Sequence, residues 1–129
     1  MRERITTVYG VLALLWAGLV VLQVFFAGLG IFGASSFDTH KAFGNVLHGL
    51  TALLLLLAIA GPRTGRDIGM AAGLFILVTI QIGLVSARDD APGLAALHPV
   101  LALFALGLAV HMGLHVLRPR RRPVAQPAA

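Results

Sequence analysis

Five polar side chains with ligating or hydrogen-bonding chemistry interrupt otherwise apolar sequence. They are three histidines and two glutamines: His40, His48, His98, Gln23 and Gln81. Ionisable side chains are costly in hydrocarbon, so within an apolar run they usually mark a functional site. Neutral imidazole is a good ligand for heme iron and for zinc. We therefore take these five residues as the core of a candidate site.

The sequences around two of the histidines resemble each other. Leu47-His-Gly-Leu-Thr-Ala-Leu53 and Leu97-His-Pro-Val-Leu-Ala-Leu103 place His48 and His98 fifty residues apart, and a glutamine lies upstream of each. This pattern predicts two related helical hairpins, each of which contributes one glutamine and one histidine.

The composition predicts an integral membrane protein. Of the 129 residues, 58% are hydrophobic and 12% are charged, and a soluble domain of this size could not bury so much apolar surface. The chain has no cysteine, which excludes disulfides and thiolate metal sites. Its net charge is +5, but the basic residues flank the apolar runs. That placement favours contact with the lipid bilayer and argues against nucleic-acid binding.

Four apolar segments, about 7–30, 36–60, 68–86 and 94–117, approach or exceed the ~20 residues that a helix needs to cross a membrane. We predict an all-α fold, an integral membrane up-down-up-down four-helix bundle within residues 1–117, followed by a disordered basic tail at 118–129. Arginines concentrate at the amino terminus, the middle loop and the tail. The positive-inside rule then predicts a bacterial inner (plasma) membrane protein with both termini in the cytoplasm.

Depth decides which histidines can meet. At the helical rise per residue, His40 lies about 31 Å from Gly61 and His98 about 30 Å from Arg118, so both lie near the outer surface. His48 lies about 12 Å deeper than His40. The second and fourth helices of such a bundle are diagonal, so their histidines can face each other and ligate one heme iron. Depth favours His40 opposite His98, whereas the repeat favours His48, and the choice stays open at this stage.

Two basic residues are predicted at the outer rim of this site. Lys41 and Arg88 flank the second and third apolar segments, where their positive charge could meet the carboxylates of heme propionates. The predicted cofactor is one heme b, bound by His98 together with His40 or His48.

Short motifs at the openings of two helices suggest a family resemblance. They are His40-Lys-Ala-Phe-Gly44 in the second helix and Leu97-His98-Pro99 in the fourth. The pattern resembles the four-helix half-unit of heme A synthase and, more loosely, membrane b-type cytochromes. It also resembles small bacterial four-helix membrane proteins of uncharacterised function with a glutamine in the first helix. The resemblance implies that His40 and His98 ligate heme. The chain lacks the synthase's glutamate before the first histidine and has the bundle once, so the synthase activity is not implied.

The leading interpretation is electron transfer or heme handling, with a redox partner or quinone. The alternative is a non-catalytic accessory or scaffold protein whose histidines and glutamines form interhelical hydrogen bonds. A quinone, a metal ion such as zinc, or a carried small molecule are further candidate ligands. An enzyme is not favoured, because the sequence offers no cysteine nucleophile, serine triad or phosphate loop.

Three features lie outside this site. His111 and His115 share a helix face and are interpreted as interfacial residues near a helix C-terminus or as a shared site in a homo-oligomer. Gly69-Met-Ala-Ala-Gly73 is a GxxxG motif, which predicts close packing within the bundle or against a second copy. Pro99 predicts a kink in the fourth helix.

Overall fold

The computed structural model of the protein describes residues 2–61 and 63–118, so all but the first residue of the tail predicted to be disordered lies outside the described residues. The described residues form four long helices and one short helix, and they include four segments long and apolar enough to cross a membrane. This confirms the all-α, four-helix prediction. The helices are α1 Arg2–Ile31, α2 Asp38–Ala60, α3 Gly65–Ser86, α4 Pro92–Ala95 and α5 Leu97–Leu117.

The long helices form a four-membered ring of contacts. Helix α1 packs against α2 and α5, and α3 packs against the same two helices. Helices α2 and α5 therefore lie on one diagonal and α1 and α3 on the other. The loops 32–37 and 87–91 lie at one end of the bundle, which we call the paired-loop end. The opposite end of the bundle, which we call the terminal end, contains the loop 61–64, the start of α1 and the end of α5.

The two hairpins, α1–α2 and α3–α5, bury equivalent positions at an offset of 58 residues. The first-hairpin residues and their counterparts are Tyr9 and Asp67, Ala13 and Ala71, Trp16 and Leu74, Val20 and Val78, Leu47 and Ala105, Thr51 and Ala109, and Leu54 and Met112. The two related hairpins are present, but the fifty-residue alignment that paired His48 with His98 is wrong. At the offset of 58 residues, His40 is the counterpart of His98, and the counterpart of His48 is Leu106.

Local chemistry explains where the helices begin and break. Helix α3 opens with a capping box, in which the Asp67 backbone N–H donates to Thr64 Oγ1 and the Thr64 backbone N–H donates to the Asp67 carboxylate. The fourth span breaks at Ala96, between α4 and α5. Pro99 thereby falls in the first turn of α5, where its missing N–H would have no partner within the helix. The expected kink is realised as this break.

The two interfaces between the hairpins are packed differently. In the α1–α5 interface the glycines let the backbones approach, because a Cβ atom on Gly113 would lie 2.6 Å from Leu14 Cγ and 3.0 Å from the Gly10 carbonyl oxygen. The equivalent α2–α3 interface has Leu55 and Ile68 at the positions of those two glycines. Contact between α2 and α3 is correspondingly less extensive.

Candidate functional site

His40 and His98 face each other across the bundle at the paired-loop end. Their ring centroids are 6.2 Å apart and their planes are inclined at 68°. A metal–imidazole bond is about 2 Å long, so two such bonds and the two ring radii together span roughly 6 Å. The separation therefore leaves room for one metal ion to be bound by both imidazoles.

Both rings are held by the same kind of hydrogen bond. His40 Nδ1 lies 3.1 Å from the carbonyl oxygen of Gln23, and His98 Nδ1 lies 2.9 Å from that of Gln81. A carbonyl oxygen can only accept, so each Nδ1 carries a proton, and in the neutral imidazole Nε2 then keeps its lone pair. Histidines that bind metals are commonly oriented in this way. The two glutamines thus position the histidines through their backbones.

The glutamine side chains lie beside the same pair. Gln23 Nε2 donates to the His40 carbonyl oxygen at 2.8 Å. Gly44 makes room for this amide, since a Cβ atom there would lie 2.9 Å from Gln23 Nε2. The Oε1 atoms of Gln23 and Gln81 are buried and have no hydrogen-bond partner in the described part of the chain. Buried acceptors without partners are uncommon, and these two are available to a bound molecule or water.

A cleft of about 410 Å³ opens beside the histidine pair, mainly between α2 and α3. Its volume is within the range of small-molecule sites. Lys41 and Arg88 lie at its rim, 3.6 Å and 3.5 Å from carboxylate oxygens of Asp38 and Asp89, respectively. These exposed ion pairs are weak, so both cations can exchange partners. The lining residues are Gln23, His40, Lys41, Gly44, Asn45, Ile82, Val85, Ser86, Arg88, Asp89 and His98.

The structure brings six of the seven predicted site residues together, because Gln81 joins the cleft residues through its bond to His98. The exception is His48, which lies deeper in the membrane and is directed toward α3. Its Nε2 is 2.9 Å from Thr79 Oγ1, and its ring stacks on Phe75 with centroids 5.0 Å apart. Of the two candidate partners, His40 is therefore the one whose ring lies beside that of His98.

Few side chains are placed to ligate a metal ion at this site. Within residues 2–61 and 63–118, no group of three or more histidine, cysteine or acidic residues is placed to hold a metal ion. The His40–His98 pair offers two nitrogen ligands. Such a pair suits a metal whose remaining ligands come with it, as the four macrocycle nitrogens do in heme.

A second polar cluster, which the sequence reasoning missed, lies at the terminal end. Asp67 Oδ1 is 3.8 Å from His115 Nε2, and the Arg63 guanidinium carbon lies 4.7 Å from the centre of the Tyr9 ring. Asp67 directly precedes the apolar segment predicted at 68–86, and hydropathy alone does not place it in the first turn of α3. The capping pattern of Thr64 followed three residues later by an acid was the available signal.

The two histidines near the end of α5 join this cluster. His111 and His115 stack with centroids 5.9 Å apart, and Arg66 Nη2 lies 3.4 Å from His111 Nε2. Their contacts are with the opening turn of α3. The GxxxG glycines, Gly69 and Gly73, are exposed instead, and a Cβ atom on either would meet nothing within 4 Å.

Comparison with known proteins identifies one family. A family of unknown function, DUF6220, matches residues 23–88, just over half of the chain. The matched segment begins at Gln23, includes His40 and Gln81, and ends before His98. No curated protein and no solved structure matches significantly, and none of these comparisons links the chain to heme A synthase or cytochromes. The chain is a member of the DUF6220 family.

Proposed function

We propose that this membrane protein binds one heme b between His40 and His98 and serves in electron transfer or heme handling. The observation that carries the proposal is the facing pair of rings, 6.2 Å apart, with both Nδ1 atoms engaged by backbone carbonyls. That arrangement leaves two Nε2 lone pairs directed away from the glutamines. His40 and His98 would hold the heme iron through these two nitrogens.

The surroundings of the pair fit the group. The cleft beside His40 and His98 gives access from the α2–α3 side. Lys41 and Arg88 supply positive charge at the rim for two propionates. The Gln23 and Gln81 backbone carbonyls accept from Nδ1 of the two histidines, and a hydrogen bond at Nδ1 makes Nε2 a more basic ligand. Heme would supply one-electron redox chemistry, while the residues of the chain bind it and set its orientation.

We place the protein in a bacterial inner membrane with its terminal end in the cytoplasm. The support is the distribution of arginines, which includes Arg4, Arg63, Arg66 and Arg118 at the terminal end. The paired-loop end has only Lys41 and Arg88 as bases. The positive-inside rule assigns the arginine-rich side to the cytoplasm. The heme would then lie in the outer half of the bilayer.

The test is an absorption spectrum of the full-length protein purified in mild detergent from heme-replete cells. We expect a sharp Soret band when oxidised, and α and β bands after reduction with dithionite. His40→Ala and His98→Ala should each abolish the six-coordinate spectrum. His48→Ala is the matched control on α2 and should leave it unchanged. A protein that stays colourless after titration with hemin would overturn the proposal.

A structural hydrogen-bond network is the second candidate function. It is favoured by the reciprocal pair in which Gln23 Nε2 donates to the His40 carbonyl and His40 Nδ1 donates to the Gln23 carbonyl. Such bonds stabilise membrane helix packing by about 0.6–2 kcal/mol each. Under this alternative, His98→Ala would lower the stability of the colourless protein and hemin would change neither variant nor wild type.

A further inference from the structure

His48 carries an unused hydrogen-bond acceptor near the middle of the membrane. The Thr79 hydroxyl donates its one hydrogen to the Phe75 carbonyl oxygen at 2.8 Å, so Thr79 Oγ1 must accept from His48 Nε2–H, 2.9 Å away. The proton is therefore on Nε2, and Nδ1 holds a lone pair. Within the described residues, Nδ1 has no hydrogen-bond partner.

These residues lie beside the cleft, one helical turn closer to the terminal end. His48 is one helical turn beyond the cleft residue Gly44 on α2, and Thr79 is about one turn beyond Ile82 on α3. We call the surface of His48, Phe75 and Thr79 the α2–α3 groove. Thr79 is exposed and His48 is half-buried, so the groove faces the hydrocarbon. A polar atom without a partner is costly there.

The other interface between the hairpins is packed without polar side chains at these positions. At the equivalent positions of the α1–α5 interface the chain has Leu106, Ala17 and Val21, all without polar side-chain atoms. The two interfaces share their buried positions, but only the α2–α3 interface has polar and aromatic side chains at these three positions. Intramembrane polar groups that packing does not demand point to ligand binding.

We propose that the α2–α3 groove binds a membrane-soluble quinol. The quinol hydroxyl donates to His48 Nδ1, and its ring packs beside the stacked His48 and Phe75 rings. Acyl chains offer no donor at this depth, whereas a quinol brings both a hydroxyl and a flat ring that suits aromatic packing. The proposal concerns binding and does not depend on heme being present.

The test uses duroquinol, kept reduced with dithionite, and its oxidised form duroquinone as probes of the full-length protein in phosphatidylcholine nanodiscs. Duroquinone has the same carbon skeleton and methyl groups, but carbonyls replace the two hydroxyl donors. One hydrogen bond corresponds to about a five- to tenfold difference in dissociation constant. We expect duroquinol to bind tighter by that factor and to shift the ¹⁵N resonance of His48 Nδ1. The proposal would be overturned if wild-type protein bound duroquinol and duroquinone with equal affinity, or if the His48 resonance did not shift.

Variants locate the site. His48→Phe keeps an aromatic ring against Phe75 and should abolish the preference for duroquinol. Thr79→Val introduces the side chain of its counterpart Val21 and removes the hydroxyl that accepts from His48 Nε2. The His48 proton can then move to Nδ1, so the preference for duroquinol should fall. Leu106→Phe is the matched control in the other interface and should retain it. A preference that persists in His48→Phe would refute the proposal.

Heme binding is tested separately with the same protein. His98→Ala, which lacks an axial ligand, should keep the duroquinol preference. A colourless wild-type protein with the preference would refute only the heme proposal. A heme-loaded protein without the preference would refute only the quinol proposal.

Discussion

The α1–α5 and α2–α3 interfaces join the same two hairpins at equivalent positions, yet one is closed and the other is open. In the closed interface, Gly10 and Gly113 bring α1 and α5 together, with Leu14 and Leu117 packed onto the glycines. In the open interface, larger side chains replace both glycines, and the cleft and the α2–α3 groove lie there. Interfaces that share a buried pattern thus differ in how closely their helices approach.

The largest expected effect comes from forcing the closed interface apart. In Gly113→Ala the new methyl group would meet Leu14 and the Gly10 backbone, and overpacking of this kind typically costs about 1–3 kcal/mol. The free energy of unfolding, measured by SDS titration and circular dichroism, should fall accordingly. Gly107→Ala, where a Cβ atom meets nothing within 4 Å, is the control. Equal stability of the two variants would show that α1 and α5 do not pack as described.

A smaller effect on stability is expected from replacing either of two counterpart residues at the terminal end, Asp67 and Tyr9. Asp67→Ala removes the capping interaction with Thr64 and the contact with His115, a loss of about 1–2 kcal/mol in the free energy of unfolding. Tyr9→Phe keeps the ring beside Arg63 and removes only a hydroxyl without a partner. Its stability in thermal unfolding should equal or exceed that of wild type. A Tyr9→Phe variant less stable than Asp67→Ala would contradict this prediction.

The smallest effect concerns the two glutamines. Gln23→Leu loses the 2.8 Å bond to the His40 carbonyl, which is worth about 0.6–1 kcal/mol between membrane helices. Gln81 makes no side-chain hydrogen bond within the described residues, so Gln81→Leu should be more stable than Gln23→Leu by that amount in SDS titration. Both variants keep the backbone carbonyl that holds the histidine. The reverse order of stability would contradict this difference between the hairpins.

Much of the fold could be predicted from the sequence because length and hydropathy constrain membrane helices strongly. Apolar segments bounded by Gly61 and by the loop containing Asp90 leave little choice of topology. Level depths on diagonal helices were sufficient to suggest that His40 meets His98. The break at Ala96 followed in outline from Pro99, since proline is tolerated in a first turn but not in a helix interior.

The internal alignment could not be predicted reliably, because leucine-rich segments match one another at many offsets. The resemblance around His48 and His98 selected fifty residues. The more informative signal was the equal spacing of the glutamine–histidine pairs, since Gln23 precedes His40 by the same interval by which Gln81 precedes His98. Predicting the difference between the two interfaces requires knowing which helix faces Gly113, and hydropathy does not contain that information.

The 58-residue offset also has a consequence for ancestry and assembly. Two identical hairpins related by a twofold axis along the membrane normal would place two glutamine-held histidines opposite each other, as an isologous dimer does. Fusion of the two copies removes the requirement for identity. One copy can then acquire Asp67 where the other has Tyr9, and the groove residue His48 needs no duplicate. The central histidine pair can then stay symmetric while the lipid-facing surfaces differ between the two hairpins.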